Sequence, residues 1–129
     1  MLQEEDLSYV VRGCIYEVFK ELGPGFLEKV YENALAFEVR ETGLRVKQQA
    51  PIQVRYRGQV MGDYLADLIV NDTVLVELKS AQAIADAHKA QCLNYLRATG
   101  RSVGLLLNSG APRLHVRRIV WRHDDRDLV

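Results

Sequence analysis

Three charged side chains interrupt the apolar strand segments on either side of the NDT turn in residues 67–80, DLIVNDTVLVELKS. They are Asp67, Glu77 and Lys79, and valine, isoleucine and leucine occupy most of the other positions. Burying charges of this kind is costly unless they pair with each other, form hydrogen bonds or bind a metal ion. The stretch is therefore either a solvent-exposed edge of a sheet or a functional site.

The register of this hairpin decides between the two. A two-residue turn at 71–72 would place Asp67 opposite Val76 and would put Asp67 and Glu77 on opposite faces. A three-residue turn at 71–73 instead places Asp67 directly opposite Glu77, with Lys79 on the same face. Only this second register gives one fully apolar face, and we therefore predict it. Its apolar face holds Ala66, Leu68, Val70, Val74, Val76 and Leu78, and its other face holds Leu65, Asp67, Ile69, Leu75, Glu77 and Lys79.

Two carboxylates this close repel each other, and a divalent cation between them would reverse that penalty. Hard oxygen ligands suit Mg²⁺ or Mn²⁺, which lowers the pKa of a bound water and stabilises charge on a phosphoryl oxygen. Lys79 could orient the attacking water or offset developing negative charge. The competing interpretation is a solvent-exposed salt bridge between Lys79 and either Asp67 or Glu77, which is common for so short a pattern.

Two predicted helices carry further polar groups. His88, Gln91 and Tyr95 share one face of a helix predicted over residues 84–99. Alone, such a stripe is more typical of an exposed helix face than of a site. Glu28 and Tyr31 share a face of another predicted helix, and Glu28 lies in its first turn. The helix dipole favours a carboxylate there without any function.

The remaining elements predict an α/β fold with a mixed β-sheet flanked by helices. A first helix is predicted over residues 5–21, ending at the GPG of 23–25. The second helix should span about 26–41, with an inward face of Leu27, Val30, Ala34, Leu35 and either Phe37 or Val39. Strands are predicted near 45–49, 52–57, 60–70, 73–79, 102–108 and 113–121. A length of 129 residues suits one domain covering residues 1–129.

Charge is balanced overall but unevenly distributed. Residues 1–44 contain nine acidic and four basic side chains, a net charge of −5, so the remainder carries +5. The most basic segment is RLHVRRIVWRH at 113–123. It is either a phosphate-binding strand or an exposed edge strand protected by arginines, and charge alone favours the edge strand.

Composition indicates a cytoplasmic protein. The sequence is 48% hydrophobic and 26% charged, and no apolar run approaches the roughly 18 residues of a membrane span. The acidic first residues contain no apolar signal core, so export is not expected. Cys14 and Cys92 are far apart in the chain and are expected to be reduced thiols.

The combination of these motifs resembles a known family. GFLEKVY at 25–31 resembles the motif of the GxxExxY protein family, with Gly25, Glu28 and Tyr31 in place. ADLIVNDTVLVELKS and HKAQCLNYL are similar to the rest of that family, and the similarity extends from about Asp6 to Val120. The family is assigned to the PD-(D/E)XK nuclease superfamily, which has a restriction-endonuclease-like fold. The residue before Asp67 is alanine where the superfamily pattern has proline, but that proline supplies no ligand.

The resemblance implies a nuclease that uses Mg²⁺ or Mn²⁺ to hydrolyse phosphodiester bonds in DNA or RNA. The implied metal ligands are Asp67, Glu77, Glu28 and the carbonyl of Leu78, and the implied catalytic residues are Lys79, Glu77, Asp67 and Gln91. Residues expected to contact substrate or support these groups are Tyr31, His88, Tyr95, Arg117 and Arg118.

Three expectations remain open at this point. Arg117 and Arg118 are adjacent on one predicted strand, so only one of them can face the cleft. The alternative function is a non-catalytic accessory module that binds nucleic acid or protein, which the near-neutral charge mildly favours. A chain this short would grip a duplex more readily as a homodimer.

Overall fold

The computed structural model describes residues 3–110 and 113–122. In chain order the elements are α1 (Glu4–Leu22), α2 (Glu28–Glu41), β1 (Val46–Tyr56), β2 (Gln59–Val70), β3 (Val74–Lys79), α3 (Asp86–Thr99), β4 (Val103–Asn108) and β5 (His115–Val120). The five strands form one sheet in the order β1-β2-β3-β4-β5. The predicted α/β fold with a mixed sheet flanked by helices is confirmed. No helix in the described ranges is long and apolar enough to span a membrane.

The sheet is antiparallel except between β3 and β4, which α3 connects as a crossover. β1 and β2 form a long hairpin, but β2 pairs with β3 only from Leu68 to Val70. The β1–β2 hairpin therefore continues beyond Leu68, the last β2 residue that pairs with β3. As a result, a gap opens between β2 and the second half of β3.

The turn between β2 and β3 has the predicted three residues, 71–73. The backbone pairs are Leu68 with Val76, Ile69 with Leu75, and Val70 with Val74. Asn71 and Asp72 adopt φ angles of 50° and 53°, a left-handed conformation that Asn and Asp tolerate better than most residues. The predicted register is confirmed for these three pairs, and the next positions in it are Asp67 and Glu77.

Two apolar layers cover the sheet. α1 and α2 pack against one face, which is formed by Leu68, Val70, Val74, Val76, Leu78, Leu105 and Leu107. α3 covers the other face, with Cys92, Tyr95 and Leu96 against Ala50, Ile52, Ala66, Ile69, Leu75 and Trp121. Both layers are built from alternating strand residues, so a polar side chain within either alternation needs a partner or a ligand.

The alternation of β2 side chains between the two faces of the sheet changes at Asp67. The sequence pattern did not predict this change. Ala66 was expected on the face of Leu68, but it packs with Ala50 on the α3 side. Across the hairpin, Gln49 has a φ angle of 50°, so the strands predicted at 45–49 and 52–57 are one irregular strand. Asp67 thus lies at the irregularity of the hairpin, where a side chain can be redirected toward a site.

The predicted inward face of the second helix was right for Leu35 and Val39, which are buried, and wrong at three other positions. α2 begins at Glu28, and Leu27, Val30 and Phe37 are 79%, 39% and 62% exposed. The buried face contains Leu35 and Val39 as predicted, together with Tyr31, Glu32 and Ala36. The phase was misjudged because two polar residues, Tyr31 and Glu32, are buried with hydrogen-bond partners of their own.

Candidate active site

Asp67 is held at the gap between β2 and β3 by contacts on both sides. The backbone N–H of Leu78 donates a hydrogen bond to Asp67 Oδ2 at 2.8 Å. From β1, Gln49 Nε2 donates to Asp67 Oδ1 at 3.3 Å. The carboxylate is therefore fixed beside β3 before any ligand arrives.

Glu77 is the buried partner of this carboxylate. It is 4% exposed, and its Oε1 has no hydrogen-bond partner among the described residues. Burial, a hydrogen bond with Asp67 and the negative charge of Asp67 together raise the pKa of Glu77 to about 9, although the Lys79 ammonium opposes the shift. An unpartnered buried carboxyl oxygen is costly, and a cation bound between Glu77 and Asp67 would remove that cost.

Lys79 is coupled to α3 rather than to the carboxylates. Its Nζ donates a hydrogen bond to Gln91 Oε1 at 2.9 Å. In the described part of the chain, Lys79 forms no ion pair with Asp67 or Glu77 within 4.0 Å. The salt-bridge interpretation is therefore not supported. Lys79 and Gln91, both implied to be catalytic by the family resemblance, are in contact.

Glu28 lies within electrostatic range of the same groups. Burial and then the charge of Asp67 raise the pKa of Glu28, whereas Lys79 lowers it. Its neighbours around a cleft of about 630 Å³ are Pro24, Gly25, Phe26, Leu27, Ser80, Ser109 and Gly110. However, residues 3–110 and 113–122 contain no group of three or more His, Cys, Asp or Glu placed to hold a metal. Glu28 is near Asp67 and Lys79 without completing a three-carboxylate cluster.

Tyr31 supports the loop beside this cleft. It is fully buried, its hydroxyl donates to the Gly23 carbonyl at 2.6 Å, and the hydroxyl accepts from the Phe26 N–H at 3.1 Å. Its ring stacks on Phe19 with centroids 4.4 Å apart. Gly25 provides the φ angle of 108° that the loop requires. Tyr31 therefore shapes the loop and has no surface with which to touch a substrate.

The other residues predicted on α3 have different roles. His88 Nδ1 accepts a hydrogen bond from the Ala85 N–H at 3.0 Å, so this side chain closes the first turn of α3. Tyr95 is 8% exposed and packs against Tyr64 with ring centroids 5.6 Å apart. Burial and then the charge of Glu77 raise the pKa of Tyr95. Tyr95 is thus close to the site, whereas the observed contact of His88 is a helix cap.

The register of the last strands separates the two arginines. Leu106 pairs with both Glu77 and Arg117, so Arg117 shares a sheet face with Glu77, two strands away. Arg118 pairs with Leu105, on the α1 side, and its Nη2 lies 3.8 Å from Glu5 Oε1. The prediction that Arg118 belongs to the site is corrected, because adjacent strand residues point to opposite faces.

The sequence analysis missed the hydrogen-bond network behind Asp67. Gln49 Nε2 also donates to Glu32 Oε1 at 2.7 Å, and Gln48 Nε2 donates to Glu32 Oε2 at 2.7 Å. Glu32 is 4% exposed, so this network ties α2 to β1 inside the protein. The available signal was the spacing of Glu28 and Glu32, which places two carboxylates on one face of the helix.

Asn108, also missed, fixes the segment that follows Lys79. It is fully buried at the end of β4. Its Oδ1 accepts from the N–H groups of Ala81 and Gly110 at 3.0 Å, and its Nδ2 donates to the Ala81 carbonyl at 2.9 Å. These three bonds hold the chain as it leaves β3 at the cleft.

Replacing Asn108 with alanine is expected to lower the free energy of unfolding by about 1–3 kcal/mol, because three backbone groups lose their partner. Urea unfolding followed by circular dichroism measures this change. The matched control is Asn94→Ala on the exposed side of α3, which should change stability by less than about 0.5 kcal/mol. Equal effects of the two substitutions would contradict the role given to Asn108.

The fold and the site together define a class of protein. Asp67 on one strand, Glu77 and Lys79 on its neighbour, and a crossover helix that brings Gln91 to the lysine form the arrangement of restriction-endonuclease-like α/β proteins. The chain belongs to the PD-(D/E)XK nuclease superfamily, whose family model matches residues 5–119.

Two solved structures share this fold. One is described as the crystal structure of SSO0001, with 20% sequence identity and a TM-score of 0.59 over 93% of this chain and 67% of that chain. The other is an alkaline exonuclease from Laribacter hongkongensis, with 17% identity and a TM-score of 0.53 over 99% of this chain and 75% of that chain. At these identities the similarity shows the fold alone. No curated protein sequence matches the chain significantly.

Proposed function

We propose that this protein is a nuclease that hydrolyses phosphodiester bonds in DNA or RNA and requires Mg²⁺ or Mn²⁺. The observation that carries the proposal is the buried, unpartnered Oε1 of Glu77 beside the carboxylate of Asp67. Membership of the PD-(D/E)XK nuclease superfamily supports it. The motif formed by Gly25, Glu28 and Tyr31 supports placing the chain in the GxxExxY family within that superfamily.

The donor set fits a hard divalent cation. Asp67 and Glu77 would bind it directly, and the carbonyl of Leu78 would complete the protein ligands, with water in the other positions. Glu28 would act through one of those waters, since it does not cluster with both carboxylates. When bound, the metal would lower the pKa of the attacking water and stabilise negative charge on the phosphate.

Lys79 and Gln91 would supply the remaining chemistry. The Lys79 ammonium would orient the attacking water and offset the negative charge that develops on the phosphate. Gln91 would fix the position of that ammonium through the 2.9 Å hydrogen bond to its Nζ. Glu77 would release its proton when the cation binds, because a ligating carboxylate must be ionised.

Two depressions beside the gap provide a path for a nucleic-acid strand. The cleft of about 630 Å³ includes Glu28, and a groove of about 970 Å³ between α3 and the β1–β2 hairpin includes Gln91. Phe26 and Tyr64 line one depression each and are about half exposed, so each offers a ring on which a base can stack. We expect a strand that occupies both depressions to pass close to Lys79, which contacts Gln91 and acts electrostatically on Glu28.

The test is a cleavage assay on single-stranded DNA, duplex DNA, RNA and branched DNA. We expect cleavage of at least one substrate with Mg²⁺ or Mn²⁺, and none with a chelator. Ca²⁺ should bind but support little cleavage, because it is larger and activates water poorly. Lys47→Ala, on the exposed surface of β1, is the control with full activity. Failure to cut any substrate at any metal concentration would refute the proposal.

Alanine substitutions of Arg117 and Arg118 provide a test of substrate binding and its matched control. Arg117→Ala is expected to weaken binding of a catalytically inactive variant to nucleic acid and to lower the salt slope of log K by about 1. Arg118→Ala should change neither quantity, because Arg118 lies on the opposite face beside Glu5. Fluorescence anisotropy at several salt concentrations measures both, and a larger effect from Arg118 would contradict the assignment.

The alternative function is a binding module without catalysis. The observation that favours it is that the described residues contain no preformed group of three metal ligands. A metal titration separates the two functions, since a binding module has no use for a cation between Asp67 and Glu77.

A further inference from the structure

The exposed surface of α1 carries a stripe whose residues suit contact with another helix. Asp6, Tyr9, Gly13, Tyr16 and Lys20 recur at alternating intervals of three and four residues, which places them on one side of a helix. All five are exposed, and Tyr9 and Tyr16 are 80% and 51% exposed. We call these five residues the α1 stripe. Two large aromatic side chains on an otherwise charged helix surface indicate an interaction site.

Gly13 is the second observation. A glycine inside a helix is destabilising relative to alanine, and a Cβ at this position would meet nothing within 4 Å. Packing among residues 3–110 and 113–122 therefore gives no reason for glycine here. Gly13 lies instead in an open groove of about 520 Å³, whose lining also includes Tyr9 and Tyr16. A glycine in such a groove permits close approach of a partner.

The charges of the stripe are complementary to those of a second copy of this chain. Asp6 and Lys20 each lie seven residues from Gly13, about 10 Å along the helix axis in opposite directions. If two copies of α1 cross antiparallel at Gly13, Asp6 of each copy meets Lys20 of the other. A two-fold contact is self-complementary in this way by symmetry. A nucleic acid suits the stripe poorly, because Glu4, Glu5 and Asp6 place three acids at one end of it.

We propose that the protein forms an antiparallel homodimer through the α1 stripe, with the helices crossing at Gly13. In this register Tyr9 lies opposite Glu17 of the partner subunit, so its hydroxyl can donate to that carboxylate. α1 packs on the sheet face opposite Glu77, so the dimer leaves the candidate active site open. The proposal is independent of the proposed function.

Sedimentation equilibrium at increasing protein concentration tests the proposal. A single helix pair is a small interface, so we expect a monomer–dimer equilibrium that shifts with concentration. Lys20→Glu should raise the dimer Kd by about tenfold or more, because each end then brings two acids together. Adding Asp6→Lys to Lys20→Glu should return the Kd toward the wild-type value. Lys47→Glu on β1 makes the same charge change away from the stripe and should leave the Kd unchanged.

Gly13→Gln separates association from folding. Glutamine is a better helix former than glycine, so this variant should melt at the same or a higher temperature. Its side chain fills the groove and should abolish the dimer. Asp6 also accepts a weak 3.4 Å bond from the Gln3 N–H, so the double charge variant must recover association despite losing this contact.

Three results would overturn the proposal. A wild-type protein that stays monomeric at every concentration excludes the homodimer. The α1 stripe would then be a surface for binding a different protein. A dimer that neither Lys20→Glu nor Gly13→Gln weakens uses another surface. A dimer that Lys20→Glu weakens but the double charge exchange does not recover lacks the antiparallel register.

Discussion

Lys79→Ala is expected to lower the rate of phosphodiester cleavage by about 100-fold or more, the usual effect of losing one group that stabilises transition-state charge. Metal affinity should stay within about twofold, since Lys79 is not a ligand in this scheme. Initial rates at saturating Mn²⁺ and a calorimetric Mn²⁺ titration measure the two quantities separately. The ammonium is held by Gln91 at 2.9 Å and makes no ion pair with the site carboxylates in the described ranges. Its loss should therefore affect catalysis more than folding.

Two further variants serve as controls for the Lys79→Ala result. Lys89→Ala removes a lysine of α3 whose only recorded ion pair in the described chain is with exposed Asp86 at 3.5 Å, and it should keep full activity. Glu77→Ala should lose both cleavage and metal binding. If Lys79→Ala retains more than about a third of the wild-type rate, the role assigned to Lys79 is wrong.

Glu77→Gln is expected to stabilise the metal-free protein at neutral and alkaline pH. The folded protein holds the Glu77 proton up to a pKa of about 9, whereas the ordinary value is 4.5. Between these two pH values the folded state binds one proton more than the unfolded chain. Wild-type stability should therefore fall as pH rises through this range, by up to about 1.4 kcal/mol per unit, and level off above pH 9.

Glutamine resembles the protonated carboxyl and has no proton to lose, so the variant should lack this part of the pH dependence. Urea unfolding with chelator at pH 5, 7 and 9 (values chosen to span the window) compares the two proteins. The advantage of Glu77→Gln should increase with pH, and such a gain of stability with loss of function is common at active sites. Parallel pH profiles for the two proteins would show that Glu77 is not buried beside Asp67 as described.

The hairpin that carries the site was predictable because its residues leave one consistent arrangement. Only a three-residue turn separates the apolar residues of 66–78 from the charged ones, and Leu68 does pair with Val76. A one-residue slip would exchange the faces of the whole strand. Sequence alone therefore indicated the register of the three observed pairs, and the direct opposition of Asp67 and Glu77 remains a prediction.

Hydrophobicity predicted only part of the buried face of α2. Phe37 and Leu27 are exposed, whereas Glu32 is buried, because Gln48, Gln49 and Lys29 bind its carboxylate. Lys29 lies on the same helix, but Gln48 and Gln49 lie on β1, and Gln49 has a left-handed conformation. Local pattern cannot reveal a contact that requires the tertiary arrangement of two elements.

The sheet face on which each arginine side chain lies was predictable only in part. Adjacency on one strand required Arg117 and Arg118 to face opposite ways. Which of them joins Glu77 depends on the pairing of β4 with both β3 and β5. That pairing is between distant segments, and nothing in the basic strand itself determines it.

The most direct test of the central claim, that Asp67 and Glu77 together hold a divalent cation, is calorimetric titration of Mn²⁺ into wild-type protein and Asp67→Ala at neutral pH. Two buffers with different ionisation heats also give the number of protons released. We predict saturable binding to the wild type with release of about one proton, since Glu77 must ionise, and no binding at this site in Asp67→Ala. Absence of Mn²⁺ binding to the wild type, or equal binding to both proteins, would contradict the claim.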